Sequence, residues 1–393
     1  MEILFYRYGS ICEPDIIDTF QKMGLTVLEE TTEITQKALT NAERVQHVEK
    51  VLWEHQPLFV FSINFYPVIA EICHIYKTLY LCWTVDSPVP ELFSPSILHN
   101  TNRIFLFDRA QYEKFAPHNS DCIFHLPLAS ATERFDKIIS SITSKDQERF
   151  QKEIAFVGSL YNEKSPLNTL TGLSKYTRGY LDALEDSSLR VYGYNFMEDA
   201  LCPAVVEELK HLDPGFYHPE QAIAPIDNYI AAHSYVGMEA SEKERILTLN
   251  TLAQYFPVDL YTQSDSSQLR NVNVHGGVSS LVEMPKIFYL SKINLNITIK
   301  PIQEGLPLRI FDILGCGGFC LTNYQPELTD LLEIGVDLEA YSSLEELVDK
   351  CAYYLEHEDE RKQIALNGYK KVCEKHNYVQ RIKEMIEKAV SPP

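Results

Sequence analysis

The sequence is short of positive charge and contains no long apolar run. Of its 393 residues, 35 are lysine or arginine and 55 are aspartate or glutamate, which gives a net charge of −20 at pH 7. Such a surface repels nucleic-acid backbones and anionic lipids, so we expect neither as a partner. No stretch of 18 consecutive residues is apolar, and no membrane span is expected.

A disulfide framework, a secretion signal and a metal motif are also missing. The nine cysteines are scattered along the chain, which favours a reduced, cytoplasmic protein. The first residues carry Glu2 and Arg7 and are expected to form a strand, not a signal peptide. Cys316 and Cys320 have no zinc-type partners in sequence, and no Asp-x-Asp follows a strand in the first 130 residues. We expect no metal and no cofactor.

Apolar material is ample, because 45% of the residues are hydrophobic and 11% are aromatic. Short apolar runs, such as residues 3–6 and 58–63, alternate with helix-like stretches. Strands that are apolar on both faces and separated by helices predict a parallel sheet covered on both sides. The chain length suits two such α/β domains.

The pattern predicts a domain at 1–130, a helical connector at 131–150 and a second domain at 151–375. A helical insertion is expected at about 161–256, and the last residues, 376–393, are expected to form a helix that packs back toward the first domain. Capping-box patterns predict helix starts at Thr40 and at Ser241. Two domains of this kind are expected to face a cleft, with ligands beyond the carboxyl ends of the strands.

The densest group of candidate residues follows a predicted strand at 293–298 and leads into a predicted helix at about 307–314. Glu304 and Asp312 are eight residues apart, roughly 80° around a continuous helix, so both could face one cleft. Gly305 permits close backbone approach, and the free N–H groups of a helix start attract phosphate. On spacing alone, a loop with a capping glutamate and a solvated aspartate is the alternative.

Residues 293–323, which contain INLNIT and EGLPLRIFDILGCGGFCLTN, resemble the donor-binding segment of the spore maturation protein CgeB family. Residues 324–378 continue the similarity with EELVDK, YYLEH and HNY. NFYP from Asn64 and WTVDSP from Trp83 resemble the N-terminal domain of clostridial members. The family consists of GT-B proteins related to glycosyltransferases with a Glu-x7-Glu motif, so the resemblance implies two Rossmann-like domains. It covers most of the chain and is weak over 161–256.

The resemblance implies that Glu304 contacts a donor sugar and that Asp312 holds ribose hydroxyls. The second acid of the motif is one methylene shorter here than in the wider group. Arg309 is the expected diphosphate partner because a guanidinium can pair with two phosphate oxygens, and an ion pair with Asp312 is the alternative. Lys292, directly before a strand, is a further phosphate candidate.

Other donor-side candidates follow strands of the second domain. Two glycines after a strand let the backbone wrap an anion, with a neighbouring imidazole as a donor, and an ordinary turn is the alternative. In the same region we expect the backbone segment that approaches the donor phosphates and the loop that contacts the nucleotide base. These candidates are Gly158, Ser159, Thr262, His275, Gly276 and Gly277.

The first domain is expected to bind the acceptor and to supply any catalytic base. Gly9, Ser10 and Asn64 are the acceptor-side candidates, and Glu13 and Asp86 are the catalytic candidates. An inverting transfer needs a general base beside the acceptor hydroxyl, whereas a retaining transfer can use the donor phosphate. A turn-capping role is the alternative for Asp86.

Together these features predict a metal-independent hexosyltransferase. Its donor is a nucleotide-sugar, expected to be UDP-linked. The resemblance to the CgeB family implies a bacterial surface, flagellar or spore-associated acceptor, either a protein or a glycan. A sugar-nucleotide epimerase of the same architecture and a non-catalytic assembly protein are the alternatives, and the joint presence of Glu304, Arg309 and Asp312 counts against the latter.

Overall fold

Residues 1–390, which the computed structural model describes, form two six-stranded parallel sheets with helices packed around them. Contacts divide the chain into two units. The first contains Met1–Ala129, Pro219–Ile226 and the chain from Asn377 onward, and the second contains Ser130–His218 and Asp227–His376. The predicted class, α/β with two Rossmann-like parallel-sheet domains, is confirmed.

The strands of the two sheets are buried in their middle and partly exposed at their edges. Strand order in the first unit is β2-β1-β3-β4-β5-β6, and in the second it is β12-β11-β10-β7-β8-β9. The strands are β1 (Glu2–Tyr6), β2 (Thr26–Glu30), β3 (Phe59–Ile63), β4 (Leu79–Trp83), β5 (Asn102–Leu106), β6 (Ile123–His125), β7 (Ile154–Val157), β8 (Val258–Tyr261), β9 (Asn273–His275), β10 (Ile293–Asn296), β11 (Cys320–Asn323) and β12 (Glu339–Tyr341). Every residue of β3, β7 and β8 is buried, as expected for parallel strands covered on both faces.

Helices connect the strands and cover both faces of each sheet. They are α1 (Glu13–Lys22), α2 (Thr32–Thr35), α3 (Asn41–His55), α4 (Pro67–Tyr76), α5 (Arg109–Phe115), α6 (Thr132–Ile139), α7 (Ser144–Phe150), α8 (Lys175–Ser188), α9 (Met197–Ala200), α10 (Pro203–Leu212), α11 (Asp227–Ile230), α12 (Gly237–Leu252), α13 (Glu283–Leu290), α14 (Leu308–Gly315), α15 (Leu328–Leu331), α16 (Leu344–Glu356), α17 (Glu358–Lys375) and α18 (Tyr378–Val390). A π-helical segment, Ala231–Val236, joins α11 to α12. Within residues 1–390, no helix has the length and apolar character needed to cross a bilayer.

The two predicted capping boxes have opposite outcomes. The Thr40 hydroxyl accepts from the backbone N–H of Glu43 at 3.3 Å, and the Thr40 N–H donates to the Glu43 carboxylate at 2.7 Å, so α3 begins as predicted. Ser241 does not begin a helix, because it lies inside α12, is buried, and donates its hydroxyl to the carbonyl of Gly237 at 2.6 Å. The pattern is local, whereas the helix continues through it from the π-helical segment.

Helix α18 belongs to the first unit, although it lies at the other end of the chain. Ile382 and Met385 are fully buried, and the Tyr378 ring packs edge-on against Trp83 with 6.1 Å between centroids. Arg381 Nε donates to the Pro127 carbonyl at 2.8 Å, and Arg103 Nε donates to the Ala389 carbonyl at 2.9 Å. These bonds fix both ends of α18.

A charge cluster around the buried Glu185 joins α8 to α12 in the helical segment that follows β7. Arg178 pairs with Asp182 at 2.7 Å, with Glu239 at 3.0 Å and with Glu185 at 3.3 Å, and Lys243 pairs with Asp182 at 3.2 Å. Burial, followed by the charge of Glu239, raises the pKa of Glu185 to about 8. Two cations therefore face three carboxyl groups, one of which keeps its proton near neutral pH.

Glu185→Gln should make stability less dependent on pH. A carboxyl whose folded pKa is raised stabilises the fold below its unfolded pKa of about 4.3, and this contribution is lost as the pH rises through about 8. Between pH 5 and pH 8, the free energy of unfolding of the variant, measured with urea, should rise by roughly 2 kcal/mol relative to that of the wild type. Glu356→Gln, at an exposed helix end, is the control, and parallel pH curves for wild type and Glu185→Gln would contradict the prediction.

Candidate functional site

The carboxyl ends of the strands in the second unit bring most of the predicted donor-side residues to one edge. Strand order reverses between β7 and β10, the place where doubly wound sheets bind ligands. Gly158 and Ser159 follow β7, Thr262 follows β8, and Gly276 and Gly277 follow β9. The loops after β7 and β8 are joined, because the hydroxyl of Ser264 accepts from the N–H of Leu160 at 2.8 Å.

Arg245, on α12, connects the two strands at the reversal point. Its Nη1 donates to the Ser159 carbonyl at 2.6 Å, and its Nη2 donates to the Ile297 carbonyl at 2.7 Å. The guanidinium lies over the Tyr161 ring, 4.5 Å from the centroid. Burial lowers the pKa of Arg245, yet a guanidinium remains charged at any physiological pH. A permanent positive charge therefore lies at the reversal point.

Arg309, in the first turn of α14, adds a second positive charge. Its guanidinium is 5.3 Å from the Phe288 ring centroid, and its Nη1 is 3.9 Å from Asp312 Oδ2. Burial lowers the pKa of Arg309, and the Asp312 carboxylate opposes that effect. Within residues 1–390, no carboxylate forms an ion pair with Arg245, and the Asp312 contact is long. The excess positive charge suits a bound anion such as a diphosphate.

The loop between β10 and α14 carries the first acid of the motif. Glu304 is half-buried, and its carbonyl accepts from the N–H of Glu327 at 3.2 Å. Helix α14 begins at Leu308, so Glu304 lies in the loop and Asp312 lies in the second turn, where it is 6% exposed. Pro307, the N-cap residue of α14, makes no side-chain cap bond, and the Ile310 N–H donates to the Pro307 carbonyl at 3.1 Å. The positive end of the helix dipole at this turn favours an anion.

Two of the predicted donor-side residues, Lys292 and His275, each contact a carboxylate. Lys292 directly precedes β10, so it lies at the amino edge of the parallel sheet, where its ammonium pairs with Glu153 at 3.2 Å. The imidazole of His275 stacks on Tyr261 with 4.6 Å between centroids, and its Nε2 lies 2.7 Å from the carboxylate of Asp259. Asp259 therefore occupies one of the two imidazole nitrogens of His275.

A second polar cluster lies at the carboxyl edge of the sheet in the first unit. Asn64 follows β3 with a positive φ of 59° and donates its amide to Asp86 Oδ2 at 2.7 Å and to the Tyr8 hydroxyl at 3.3 Å. Its amide oxygen accepts from the N–H of Val85 at 3.0 Å. Burial, followed by the charge of Asp86, raises the pKa of Tyr8, so the phenol stays protonated. Asp86 is exposed and remains accessible.

Glu13 is not available as a catalytic acid or base. It is fully buried at the start of α1, and its carboxylate accepts from the N–H groups of Tyr8 and Gly9, each at 3.0 Å, and from Arg7 Nε at 2.9 Å. The φ of Gly9 is +97°, a conformation that strongly favours glycine. Gly9 and Ser10 therefore form a turn after β1 that Glu13 stabilises.

Sequence reasoning missed Arg245 and Tyr161. Arg245 occupies an interior position of α12, where neighbouring buried residues are also charged, so apolar periodicity does not reveal its burial. Tyr161 has a positive φ of 74°, which its residue type does not indicate. Among residues 1–390, no group of three or more His, Cys, Asp or Glu side chains is placed to hold a metal ion.

Comparison with known proteins gives one match to a family model and several solved structures of similar fold. Residues 245–387 match the model of a family described as glycosyl transferase-like, and the match contains Arg245, Glu304, Arg309 and Asp312. The match covers about a third of the chain. The comparison with curated proteins gave no match.

Solved structures with low sequence identity share the fold. HepE from Anabaena, in complex with UDP and glucose, is 12% identical with a TM-score of 0.54, and the alignment covers 98% of each chain. A glycosyltransferase from Rickettsia africae is 11% identical with a TM-score of 0.54, covering 99% of this chain and 97% of that one. UDP-GlcNAc 2-epimerase from Neisseria meningitidis, bound to UDP-GlcNAc, is 10% identical with a TM-score of 0.50, covering 99% of each. The chain has the two-domain GT-B fold.

Asn64→Asp should destabilise the first unit as the pH rises. The substitution keeps the oxygen that accepts from Val85 but places a second carboxylate beside Asp86, and like charges raise the pKa of such a pair. A carboxyl pair whose pKa is raised in the folded protein stabilises the fold less as the pH rises. The melting temperature of the variant should therefore lie below that of the wild type by roughly 3 °C or more at pH 7 and by less at pH 4. Asn271→Asp, at an exposed asparagine with a φ of 58°, is the matched control. Equal losses at both pH values would contradict this.

Proposed function

We propose that the chain is a glycosyltransferase that transfers a hexosyl group from a UDP-linked donor. The observation that supports this most is the pair of half-buried or buried arginines, Arg245 and Arg309, at the strand-order reversal of a Rossmann-like sheet. Both lie in the segment that matches the glycosyl transferase-like family. Their positive charge, compensated only by a long Arg309–Asp312 contact of 3.9 Å, has the sign and position that a donor diphosphate requires.

In this proposal the donor lies along the carboxyl edge of the second sheet. Arg309, the first turn of α14 and the backbone of Gly158 and Ser159 bind the diphosphate. The loops at Thr262 and at Gly276–Gly277 bind the nucleoside. Glu304 contacts the donor sugar and Asp312 the ribose hydroxyls, as the resemblance to the CgeB family implies. Arg245 acts through the carbonyl bonds that fix the loop after β7.

The choice of UDP and of a hexose follows the structural neighbours. One neighbour is in complex with UDP and glucose, and another is bound to UDP-GlcNAc. The acceptor proposal, a bacterial surface, flagellar or spore-associated protein or glycan, follows the resemblance to the CgeB family. No metal is required in the proposed reaction, because arginines and helix N–H groups stabilise the departing diphosphate.

Asp86 is the proposed general base for the acceptor. It is an exposed carboxylate that receives a hydrogen bond from Asn64 at 2.7 Å, which leaves its other oxygen able to accept a proton. The bond from the anomeric carbon to the donor phosphate oxygen breaks, the bond to the acceptor oxygen forms, and the acceptor proton passes to the carboxylate. If the donor phosphate takes that proton instead, Asp86 only binds the acceptor.

An epimerase is the second candidate, because one neighbour over nearly the full chain is a UDP-GlcNAc 2-epimerase. The two activities leave different products. A transferase releases UDP and, with water as acceptor, the free sugar, whereas an epimerase returns a nucleotide-sugar of altered configuration. A non-catalytic assembly protein would give neither product.

Arg309→Gln should weaken UDP binding. A charge-assisted hydrogen bond to phosphate contributes about 1.5–3 kcal/mol, so the dissociation constant measured by calorimetry should rise about 10- to 100-fold. Arg270→Gln, at an exposed arginine of the same unit, should leave the constant unchanged. Equal affinities of wild type and Arg309→Gln for UDP would show that Arg309 does not bind the donor. An absence of UDP binding by the wild type would contradict the proposal that the donor is UDP-linked.

Asp86→Asn should lower turnover and leave donor binding intact. Loss of a general base reduces the rate about 10²- to 10⁴-fold, here in the hydrolysis of UDP-glucose and UDP-GlcNAc followed by UDP release and by mass analysis of the sugar. Arg309→Gln provides the contrasting case, because it should weaken binding. An unchanged rate in Asp86→Asn would indicate that the donor phosphate, and not Asp86, takes the proton of the acceptor. Recovery of an epimerised nucleotide-sugar would favour the epimerase.

A further inference from the structure

The amino edge of the first sheet exposes a row of apolar side chains. Within Met1–Ala129, six of the seven exposed large hydrophobic residues lie just before a strand or in the helical turn that leads to one. The seventh, Ile11, lies between β1 and α1. The six residues, whose exposed fractions range from 36% to 79%, are Met1, Met23, Trp53, Leu58, Ile75 and Leu98.

The row crosses five neighbouring strands without a gap. In the order of the sheet, it consists of Met23 before β2, Met1 before β1, Trp53 and Leu58 before β3, Ile75 before β4 and Leu98 before β5. The amino ends of parallel strands meet at one edge, and neighbouring strands lie about 4.8 Å apart. The row is therefore a continuous apolar surface along roughly 19 Å of the edge.

Contacts between chain neighbours of the row hold it in place. The N–H of Leu58 donates to the carbonyl of Glu2 at 2.9 Å, and the rings of His74 and His99 are stacked with 4.0 Å between centroids. Glu2, His74 and His99 each directly adjoin a member of the row in sequence. The surface is therefore formed before any partner binds, and a partner need not order it.

The apolar area of the row matches one half of a stable interface. At about 200 Å² for each fully exposed large residue, the exposed fractions amount to on the order of 700 Å². The largest apolar patch of an ordinary monomer is about 300–600 Å², whereas a standard interface buries about 800 Å² on each partner. Tryptophan and methionine, both present in the row, are also enriched at interfaces.

The charges around the row are nearly balanced, unlike those of the chain, whose net charge is −20. A face with both signs is complementary to its own copy turned about a two-fold axis, while the negative charge elsewhere repels anionic lipid headgroups. A second copy of the chain is therefore the partner that fits this edge. The charges at the ends of α1, α3 and α4 and at the start of β1 are those of Lys22, Lys50, Lys77, Glu2, Asp18, Glu54 and Glu71.

We propose that two copies of this chain associate through the amino edge of the first sheet, with Trp53 and Ile75 near the centre of an isologous interface. The candidate acceptor-side residues Asn64 and Asp86 follow strands and lie at the opposite, carboxyl edge of the same sheet. The interface leaves that edge uncovered. The proposal does not depend on the proposed function.

Sedimentation velocity of the whole chain over a range of micromolar concentrations tests the proposal. The wild type should pass from monomer to dimer, and added NaCl should strengthen the dimer because it screens the repulsion between two copies of charge −20. Trp53→Asp and Ile75→Asp should each raise the dissociation constant at least about 30-fold, since each places two carboxylates in a desolvated interface centre.

Tyr255→Asp is the matched control for these variants. It adds the same charge at a 63% exposed aromatic residue of the second unit, and it should leave the dissociation constant of the dimer unchanged. Trp53 is 76% exposed and Ile75 is 72% exposed, so neither substitution disturbs the core. Melting temperatures equal to that of the wild type confirm that each variant is folded.

Tryptophan fluorescence gives a second measurement. The chain has two tryptophans, and Trp83 is only 1% exposed, so acrylamide quenching reports on Trp53. Quenching should decrease over the same concentrations at which the dimer forms. A wild type that stays monomeric overturns the proposal, and so does a dimer that both Asp variants retain, because it uses another face. Binding to phosphatidylcholine vesicles without self-association also overturns it, because the partner of the row is then a lipid surface.

Discussion

The two hydrogen bonds from Arg245 to the carbonyls of Ser159 and Ile297 organise the candidate donor edge. They connect the loop after β7 with the end of β10, the two strands between which the order of the sheet reverses. A guanidinium suits both carbonyls at once, because its planar fork has donors on two sides. Without it, two carbonyl oxygens near the reversal point would lose their partner, and the loop that carries Gly158 would lose its anchor.

In the first unit a neutral side chain, Asn64, also connects strand ends at the reversal point through hydrogen bonds. There the strand order reverses between β1 and β3, and Tyr8 and Asn64 follow these two strands. Asn64 holds the backbone after β4 through Val85 and orients Asp86, so one amide determines the arrangement of three loop ends. Each reversal point therefore has one polar side chain that joins neighbouring strand ends. In the second unit this side chain is the charged Arg245, which suits a diphosphate, whereas in the first unit it is the neutral Asn64.

The sequence allowed the fold to be predicted wherever burial follows an apolar pattern. The run at 154–157 coincides with β7, because every residue of that strand is buried against apolar neighbours. Strand β12 was not predicted, since its Glu339 is buried as an ion pair with Lys350 at 2.6 Å and interrupts the apolar run. The loop and helix at Glu304 and Arg309 were found from their motif. Arg245 was not found, because its burial depends on charged neighbours on α12 that no local pattern reveals.

Helix α18 gives the first unit an order of assembly that its sheet alone does not suggest. All six strands of that unit lie in the first 129 residues, yet α18, which packs on α1, is formed by the last part of the chain. During synthesis the residues of the first sheet leave the ribosome before those of α18, and about 250 further residues lie between them. At ribosomal speed these residues take roughly 12–50 s to synthesise. The surface of α1 that α18 later covers is uncovered during this time. The apolar surface that receives Ile382 and Met385 is thus exposed to other nascent chains for that interval.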